Sequence, residues 1–286
     1  GGVCLNIGCI PSKTLLKNAE IANIIRNRSK EFGFTFDNLD IDYSIAVRRS
    51  RKVSQRLTKG ITHLMKKNNI DVHMGDARIQ SNNEVEVTQA NGQTTTITAK
   101  NIVVTSGARP KTPTEFKVDN RQVITYRDAI LQEEHPESVV IIGGGAIGVE
   151  FATIWNSYGS QVTIVEMMNN ILPMEDIEIS AELTRSLTKA GMRILVDSKV
   201  EHINQDNQNI TLTISNKSDH SSISAEQVLV AIGFTPNTEG LGLDAIGVKK
   251  DSEGFVTVND SMSTNVENVY AIGDVTGKLL LAHVAS

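Results

Sequence analysis

Residues Ser138-Val139-Val140-Ile141-Ile142-Gly143-Gly144-Gly145-Ala146-Ile147-Gly148-Val149-Glu150 decide the fold of this 286-residue chain. The Val/Ile run reads as a buried strand, and the glycines that follow it open a helix. Gln161-Val162-Thr163-Ile164-Val165-Glu166 is then a second strand that ends in an acid. A Gly-x-Gly-x-x-Gly alone is weak evidence. Strand, glycines, helix, strand and acid in this order make the full dinucleotide-binding fingerprint. Gly143 makes the turn, Gly145 admits a pyrophosphate, Gly148 lets helix pack on strand, and the helix N-terminus faces the phosphates. Glu166 can accept hydrogen bonds from both ribose hydroxyls of NAD. A 2′-phosphate would meet a like charge, and Met167, Met168, Asn169 and Asn170 offer no Arg to neutralise it, so NAD is expected over NADP.

Downstream, Asp176 to Ala190 reads as a helix, Met192 to Val196 as a strand, and Val200 to Ile214 as hairpin strands around the polar Asn204 to Asn209. The segment is thus βαβ with an added meander. Upstream, Glu84 to Thr88 and Thr94 to Thr98 alternate around Asn91-Gly92, the sequence preferred in a two-residue type I′ hairpin turn. Asn101 to Val104 is a buried strand ending at Thr105, Ser106 and Gly107. Pro110 and Pro113 then mark a connection.

Both cysteines of the chain, Cys4 and Cys9, sit in Gly1-Gly2-Val3-Cys4-Leu5-Asn6-Ile7-Gly8-Cys9-Ile10-Pro11-Ser12-Lys13. This is not a disulfide scaffold. Two thiols so close are a redox pair, a metal pair or buried structural thiols, and a metal site lacks a second Cys or His pair at ligand spacing. In a regular helix, residues five apart are about 8 to 9 Å apart at Cα, beyond the roughly 7 Å that a disulfide bridges. A bridge therefore needs a distorted turn, and Gly8 supplies the freedom for it. Apolar spacing from Ser12 to Ile25 predicts a helix. Cys9 then lies at a helix N-terminus, where the macrodipole and Lys13 favour its thiolate. Asp40 is placed to cap a long helix running to about Asn69, whose Arg48, Arg49, Arg51 and Lys52 read as a solvated face.

A net charge of −5 and a pI near 5.7 argue against binding nucleic acid or anionic membrane by bulk electrostatics. No apolar run is long enough for a membrane span and no secretory signal appears, so a cytoplasmic protein is expected.

The run Gly-Gly-x-Cys-x-Asn-x-Gly-Cys-x-Pro-Ser-Lys resembles the active-site segment of the flavin-dependent pyridine-nucleotide disulfide oxidoreductases, most of all the members that oxidise dihydrolipoyl groups. The resemblance runs through the whole chain in ordered segments, and it implies an interchange thiol at Cys4 and a flavin-contacting thiol at Cys9. It implies an α/β fold of two Rossmann-like dinucleotide-binding domains, each with a small antiparallel meander, the NAD domain (118–245) being inserted in an FAD domain (1–117 and 246–286). Thr105, Ser106 and Gly107 would be FAD-proximal, and Glu150 would pair with Lys13 beside the flavin. Gly233 would lie where the strand leaves the NAD domain. Asp274, in Thr264-Asn265-Val266-Glu267-Asn268-Val269-Tyr270-Ala271-Ile272-Gly273-Asp274-Val275, would accept hydrogen bonds from the ribityl chain. Leu281, Ala282 and His283 would start a flavin-flanking helix, with His283 structural. The family usually has Arg where this chain has Phe234, which removes a charged contact, while Pro236 and Asn237 keep the turn.

The resemblance further implies oxidation of a dihydrolipoyl dithiol by NAD through Cys4, Cys9 and FAD, with no metal. It implies a lipoyl domain of a 2-oxo acid dehydrogenase or glycine cleavage complex as partner, and a homodimer in the complete protein. The chain reads as a fragment, without the family's first Gly-rich turn for FAD and without the dimerisation domain that carries its catalytic His–Glu pair. By itself it is expected not to turn over dihydrolipoamide. Members of the mercuric or glutathione reductase type are the rival enzymes. Glu166 argues against the NADP users, and Ala146 stands where the glutathione-reducing members carry a tyrosine. The rival from the binding class is an NAD-binding module with a redox-active thiol pair.

Overall fold

The computed structural model describes residues 2–206, 209–216 and 219–286. Gly1 of the opening motif and part of the expected Asn204–Asn209 turn lie outside the described residues. In chain order come α1 (Gly2–Asn6), α2 (Cys9–Arg28), α3 (Tyr43–Lys67), β1 (Asp76–Ser81), β2 (Glu84–Thr88), β3 (Thr94–Thr98), β4 (Ile102–Val104), β5 (Ala108–Pro110) and β6 (Val123–Ile124). These are followed by α4 (Tyr126–Ala129), β7 (Ser138–Ile142), α5 (Ala146–Tyr158), β8 (Gln161–Val165), α6 (Ile177–Lys189), β9 (Arg193–Leu195), β10 (Lys199–Gln205) and β11 (Ile210–Asn216). The last are β12 (Asp219–Ala225), β13 (Gln227–Val230), β14 (Phe234–Pro236), β15 (Val269–Ala271) and α7 (Ala282–Ala285).

The chain divides into two compact units, Gly1–Thr62 with Pro110–Gly233 and His63–Arg109 with Phe234–Ser286. These boundaries differ from the expected 1–117, 118–245 and 246–286. The reason lies in packing: α2 turns Leu15, Ala19 and Ala22, all buried, toward α5 with its buried Phe151 and Trp155, so the cysteine motif groups with the Gly-rich unit.

In the first unit a five-stranded parallel sheet runs β6-β13-β7-β8-β9. Its central strand β7 shows no alternation because both faces are covered. Val140 and Ile142 pack with Val200, Ile210, Leu212 and Ile214 of the β10-β11-β12 meander. Val139 and Ile141 point the other way, and Ile141 meets the first turn of α5 at Gly148. Strand β12 escaped sequence reading because Asp219-His220-Ser221-Ser222 carries no apolar alternation, yet it pairs with β11 from Asn216↔Asp219 to Ile210↔Ala225. The start of α3 corrects another expectation. Asp42, not Asp40, accepts the Ser44 N–H at 2.8 Å. Of the basic residues of α3, Arg48, Arg49 and Lys52 are exposed, as expected of a solvated face, and only Arg51 is half-buried. Arg48 pairs with Glu133 at 2.7 Å, Arg49 donates to Asn18 at 3.1 Å, and Arg51 donates to the Asn6 carbonyl.

The second unit holds the antiparallel sheet β1-β2-β3 and the parallel pair β4-β15. They share a core of Ile79, Ile102, Val104, Val269, Ala271 and Val275 with the loop residues Leu243, Val248 and Val256. The β2–β3 connection is not the expected type I′ turn. Gly92 has φ of 82° but Asn91 does not take a positive φ, and the Gln89 N–H donates to the Gln93 carbonyl at 2.8 Å across a three-residue loop. The Asn91 side chain accepts the Gln93 N–H at 2.9 Å, which holds Asn91 in an ordinary conformation and leaves the left-handed one to glycine.

Candidate functional site

The Gly-rich turn of the first unit has the sterics that its sequence predicts. A Cβ on Gly143, at φ of 106°, would sit 2.3 Å from the Ala231 carbonyl oxygen, and one on Gly148 would sit 2.1 Å from the Gly143 oxygen. A Cβ on Gly145 would meet nothing within 4 Å. Gly143 and Gly148 are therefore demanded by the protein's own packing. Gly145 faces open space at the N-cap of α5, where unpaired N–H groups and the helix dipole suit an anion. Gly233, at φ of 114°, closes the same sheet end; its carbonyl accepts the Lys111 N–H at 2.9 Å.

Glu166 is buried at 8% exposure directly after β8. One carboxylate oxygen accepts the Gly144 N–H at 2.7 Å and the other the Met168 N–H at 2.8 Å. Glu166 thus ties the glycine turn to the strand end, a role that the sequence did not disclose. Each oxygen keeps a second acceptor site for a ribose hydroxyl.

The cysteine motif folds as two helices. After α1 the chain breaks at Ile7-Gly8, and a Cβ on Gly8 would lie 3.0 Å from the Val3 oxygen and 3.2 Å from the Cys4 Cα. That close approach carries the chain from Cys4 round to Cys9 at the N-terminus of α2. Both cysteines are half-buried, unlinked thiols. Burial, and next a hydrogen bond with Cys9, pushes the Cys4 thiol from its ordinary 9.0 up to about 11. Because the folded value is the higher, the dithiol form gains stability that is complete below pH 9 and is lost as pH rises through about 11. Iodoacetamide labelling of Cys4 in the reduced protein, followed by mass spectrometry against pH, is expected to keep rising to about pH 11. A plateau reached by pH 9 would contradict this.

Lys13 and Glu150 form an ion pair, so the structure brings these two expected site residues together. With 63% and 24% of their side chains exposed, the pair contributes only about 0 to 1 kcal/mol to stability. Its significance lies in placing a cation and an anion one turn from Cys9 and one turn into α5.

In the second unit, β4 and β15 run parallel with Val104 beside Ala271, so Thr105-Ser106-Gly107 and Asp274 leave the carboxyl ends of neighbouring strands. Ligands of open α/β sheets bind at such ends. Burial raises the pKa of Asp274, and among the described residues none donates a hydrogen bond to its carboxylate. A half-buried acid without a donor fits a hydroxyl-bearing ligand. The Ser106 hydroxyl is already committed, donating to the Asn237 carbonyl at 2.7 Å, while the Asn237 amide donates to the Ser106 carbonyl at 2.9 Å. Arg109 forks onto Glu239 at 2.9 and 3.0 Å and holds that carboxyl down to about 2. Asn237, Arg109 and Glu239 thus brace the Thr105–Gly107 turn. Their spacing in sequence hides them, although the Pro236-Asn237 turn was visible. Leu281, Ala282 and His283 are exposed, and α7 packs on the turn that carries Asp274. Among the described residues no group of three His, Cys, Asp or Glu side chains could hold a metal.

A family model described as pyridine nucleotide-disulphide oxidoreductase matches residues 1–286, and the chain belongs to that family. It is 44% identical over 289 residues to a dihydrolipoyl dehydrogenase of Mycobacterium leprae and 39% identical over 287 residues to one of Chlorobaculum tepidum, covering 100% of this chain and 61% of each relative. Among solved structures it resembles LpdA from Mycobacterium tuberculosis, with a TM-score of 0.91, 26% identity and coverage of 100% of this chain and 62% of that one. It also resembles the flavoprotein disulfide reductase RclA from Escherichia coli, as a Cu(II) complex, at a TM-score of 0.85 and 28% identity, over 100% and 60% of the two chains. The chain therefore spans about three fifths of the length of these relatives.

Proposed function

We propose that the complete protein is an NAD-dependent dihydrolipoyl dehydrogenase, and the observation that carries this is the Cys4–Cys9 pair folded together across Gly8. Whole-chain identity to dihydrolipoyl dehydrogenases supports the choice of substrate. In the reaction a thiolate of the dihydrolipoyl group attacks the Cys4 sulfur of the Cys4–Cys9 bridge, and the Cys9 sulfur leaves. The second substrate thiol then attacks the mixed disulfide, so the substrate departs as a cyclic disulfide and the pair has gained two electrons and two protons. FAD supplies, when bound, two-electron transfer between the dithiol and NAD. Asp274 and the Thr105–Gly107 turn would hold FAD. The Gly143–Gly148 turn and Glu166 would hold NAD. Residues 1–117 and 246–286 are assigned to FAD and 118–245 to NAD. The partner is a lipoyl domain of a 2-oxo acid dehydrogenase or glycine cleavage complex, met in the cytoplasm by a homodimer. The test is turnover by the complete protein of dihydrolipoamide with NAD, against glutathione disulfide or mercuric ion with NADPH. Faster turnover of either rival would overturn the reading.

Nucleotide choice follows from Glu166. Replacing it by alanine would orphan the buried Gly144 N–H, at about 1 to 3 kcal/mol, and free the part-buried Met168 N–H, and so confuse binding with folding. Glu166→Gln removes the charge and forfeits only one of the two acceptors, since its amide nitrogen cannot accept an N–H. The expected result by calorimetry is a preference for NAD that narrows by about tenfold, equivalent to about 1.4 kcal/mol of lost repulsion. An unmutated protein that binds NAD and NADP equally would contradict it.

A further inference from the structure

Cys4 rides on α1, a helix of only five residues with no basic residue in its last turn. Its terminal carbonyls lack intrahelical partners. The sequence around the break supplies part of the remedy: the Ile7 N–H donates to the Val3 carbonyl at 2.9 Å, and the Asn6 side-chain amide reaches back to the Gly2 carbonyl at 2.8 Å. The carbonyl of Asn6 itself, between Cys4 and the Gly8 break, is taken by the guanidinium of Arg51 from α3. Arg28, Arg48, Arg109 and Arg185 each pair with a carboxylate. Among the described residues none does so with Arg51, which is half-buried and whose pKa burial lowers. A desolvated guanidinium spent on one main-chain oxygen is costly unless that oxygen's position matters.

We propose that Arg51 is a positioning residue for the redox pair: by gripping the Asn6 carbonyl it fixes the break between α1 and α2 and so keeps Cys4 within bonding reach of Cys9. The proposal rests on the reading of these cysteines as a redox pair. Closing the bridge joins the two sulfurs and passes two electrons and two protons to an external disulfide, and its equilibrium constant reports how closely the fold presents one thiol to the other. Loss of the grip lowers that constant. Loss of a nearby positive charge acts oppositely, because a cation favours the thiolates of the reduced form. The sign of the change therefore separates positioning from electrostatics.

The experiment equilibrates the complete protein with mixtures of reduced and oxidised dithiothreitol at pH 7, quenches by alkylation and counts free thiols by mass. Arg51→Met is expected to shift the equilibrium toward the dithiol by about tenfold, the order expected for one charge-assisted hydrogen bond. Arg51→Lys, which keeps a cationic donor, is expected to recover most of the loss. Lys52→Met, the neighbouring exposed charge, should change nothing. Unchanged NAD binding certifies the fold, and Arg51→Gln replaces Arg51→Met should the latter fail to bind NAD. An Arg51→Met equilibrium within twofold of the parent, a shift toward the bridge, or an equal response to Lys52→Met overturns the proposal. A parent that forms no bridge at any ratio overturns the redox reading and the proposal with it.

Discussion

Replacing Gly148 by alanine is expected to destabilise the first unit and abolish nucleotide binding together, whereas Gly145→Ala is expected to abolish binding alone. The difference is one of distance. The new methyl at Gly148 would lie 2.1 Å from the Gly143 carbonyl oxygen and 3.1 Å from Ile141, both belonging to the strand and turn on which α5 rests. Backbone cannot swing aside as a flexible side chain does, so α5 must lift off the sheet. Overpacking of this kind costs about 1 to 3 kcal/mol, and more where the obstacle is main chain. At Gly145 the methyl enters open space, and its cost to the fold is only the difference between glycine and alanine at an N-cap, well under the cost at Gly148. It occupies the space through which a pyrophosphate approaches the helix end. Thermal unfolding paired with NAD calorimetry separates the two variants. Equal stabilities would show that the contact at Gly148 relaxes freely.

Cys4→Ser is expected to lower dihydrolipoamide turnover by the complete protein about 10⁴-fold or more, as loss of a covalent nucleophile does. NAD affinity should stay unchanged. Serine preserves the size of the side chain, so the helix break at Gly8 and the Lys13–Glu150 pair persist, and only the sulfur chemistry is removed. Turnover within tenfold of the parent would mean that the dithiol is not on the reaction path. The contrast with Arg51 is instructive. Removing Cys4 abolishes the bridge, whereas removing the guanidinium leaves both thiols and alters only how readily they join.

Much of this architecture is local in origin and could be read from neighbouring residues. The Val/Ile run of β7 and the glycines after it announce their places because a strand covered on both faces and a tight turn each demand a residue type at a set spacing. The helix from Asp176 is likewise legible, since its cap and its amphipathic period are short-range properties; the Asp176 side chain accepts the Glu178 N–H at 2.8 Å. Local signals misled where two of them competed. Asn91-Gly92 has the composition of a type I′ turn, but the side chain of Asn91 bonds the main chain two residues on and selects a three-residue loop. Asp40 and Asp42 are equally good caps in composition, and only the path of the chain into α3 chooses Asp42.

By itself the sequence determined the βαβ unit with its glycine turn and the two neighbouring cysteines, because each rests on residues that stand in fixed order, while the pairing of Lys13 with Glu150 followed only from the family resemblance. Only the tertiary structure showed that Glu166 is spent on the Gly144 and Met168 N–H groups, that Arg109, Asn237 and Glu239 brace the Thr105–Gly107 turn, and that Arg51 grips Asn6. Apart from the local Met168 contact, these join residues 22 to 131 positions apart. A hydrogen bond over such a separation leaves no period or composition in the chain. It exists because packing brings one unpaired main-chain or acidic group within reach of a donor, and that proximity is a property of the fold.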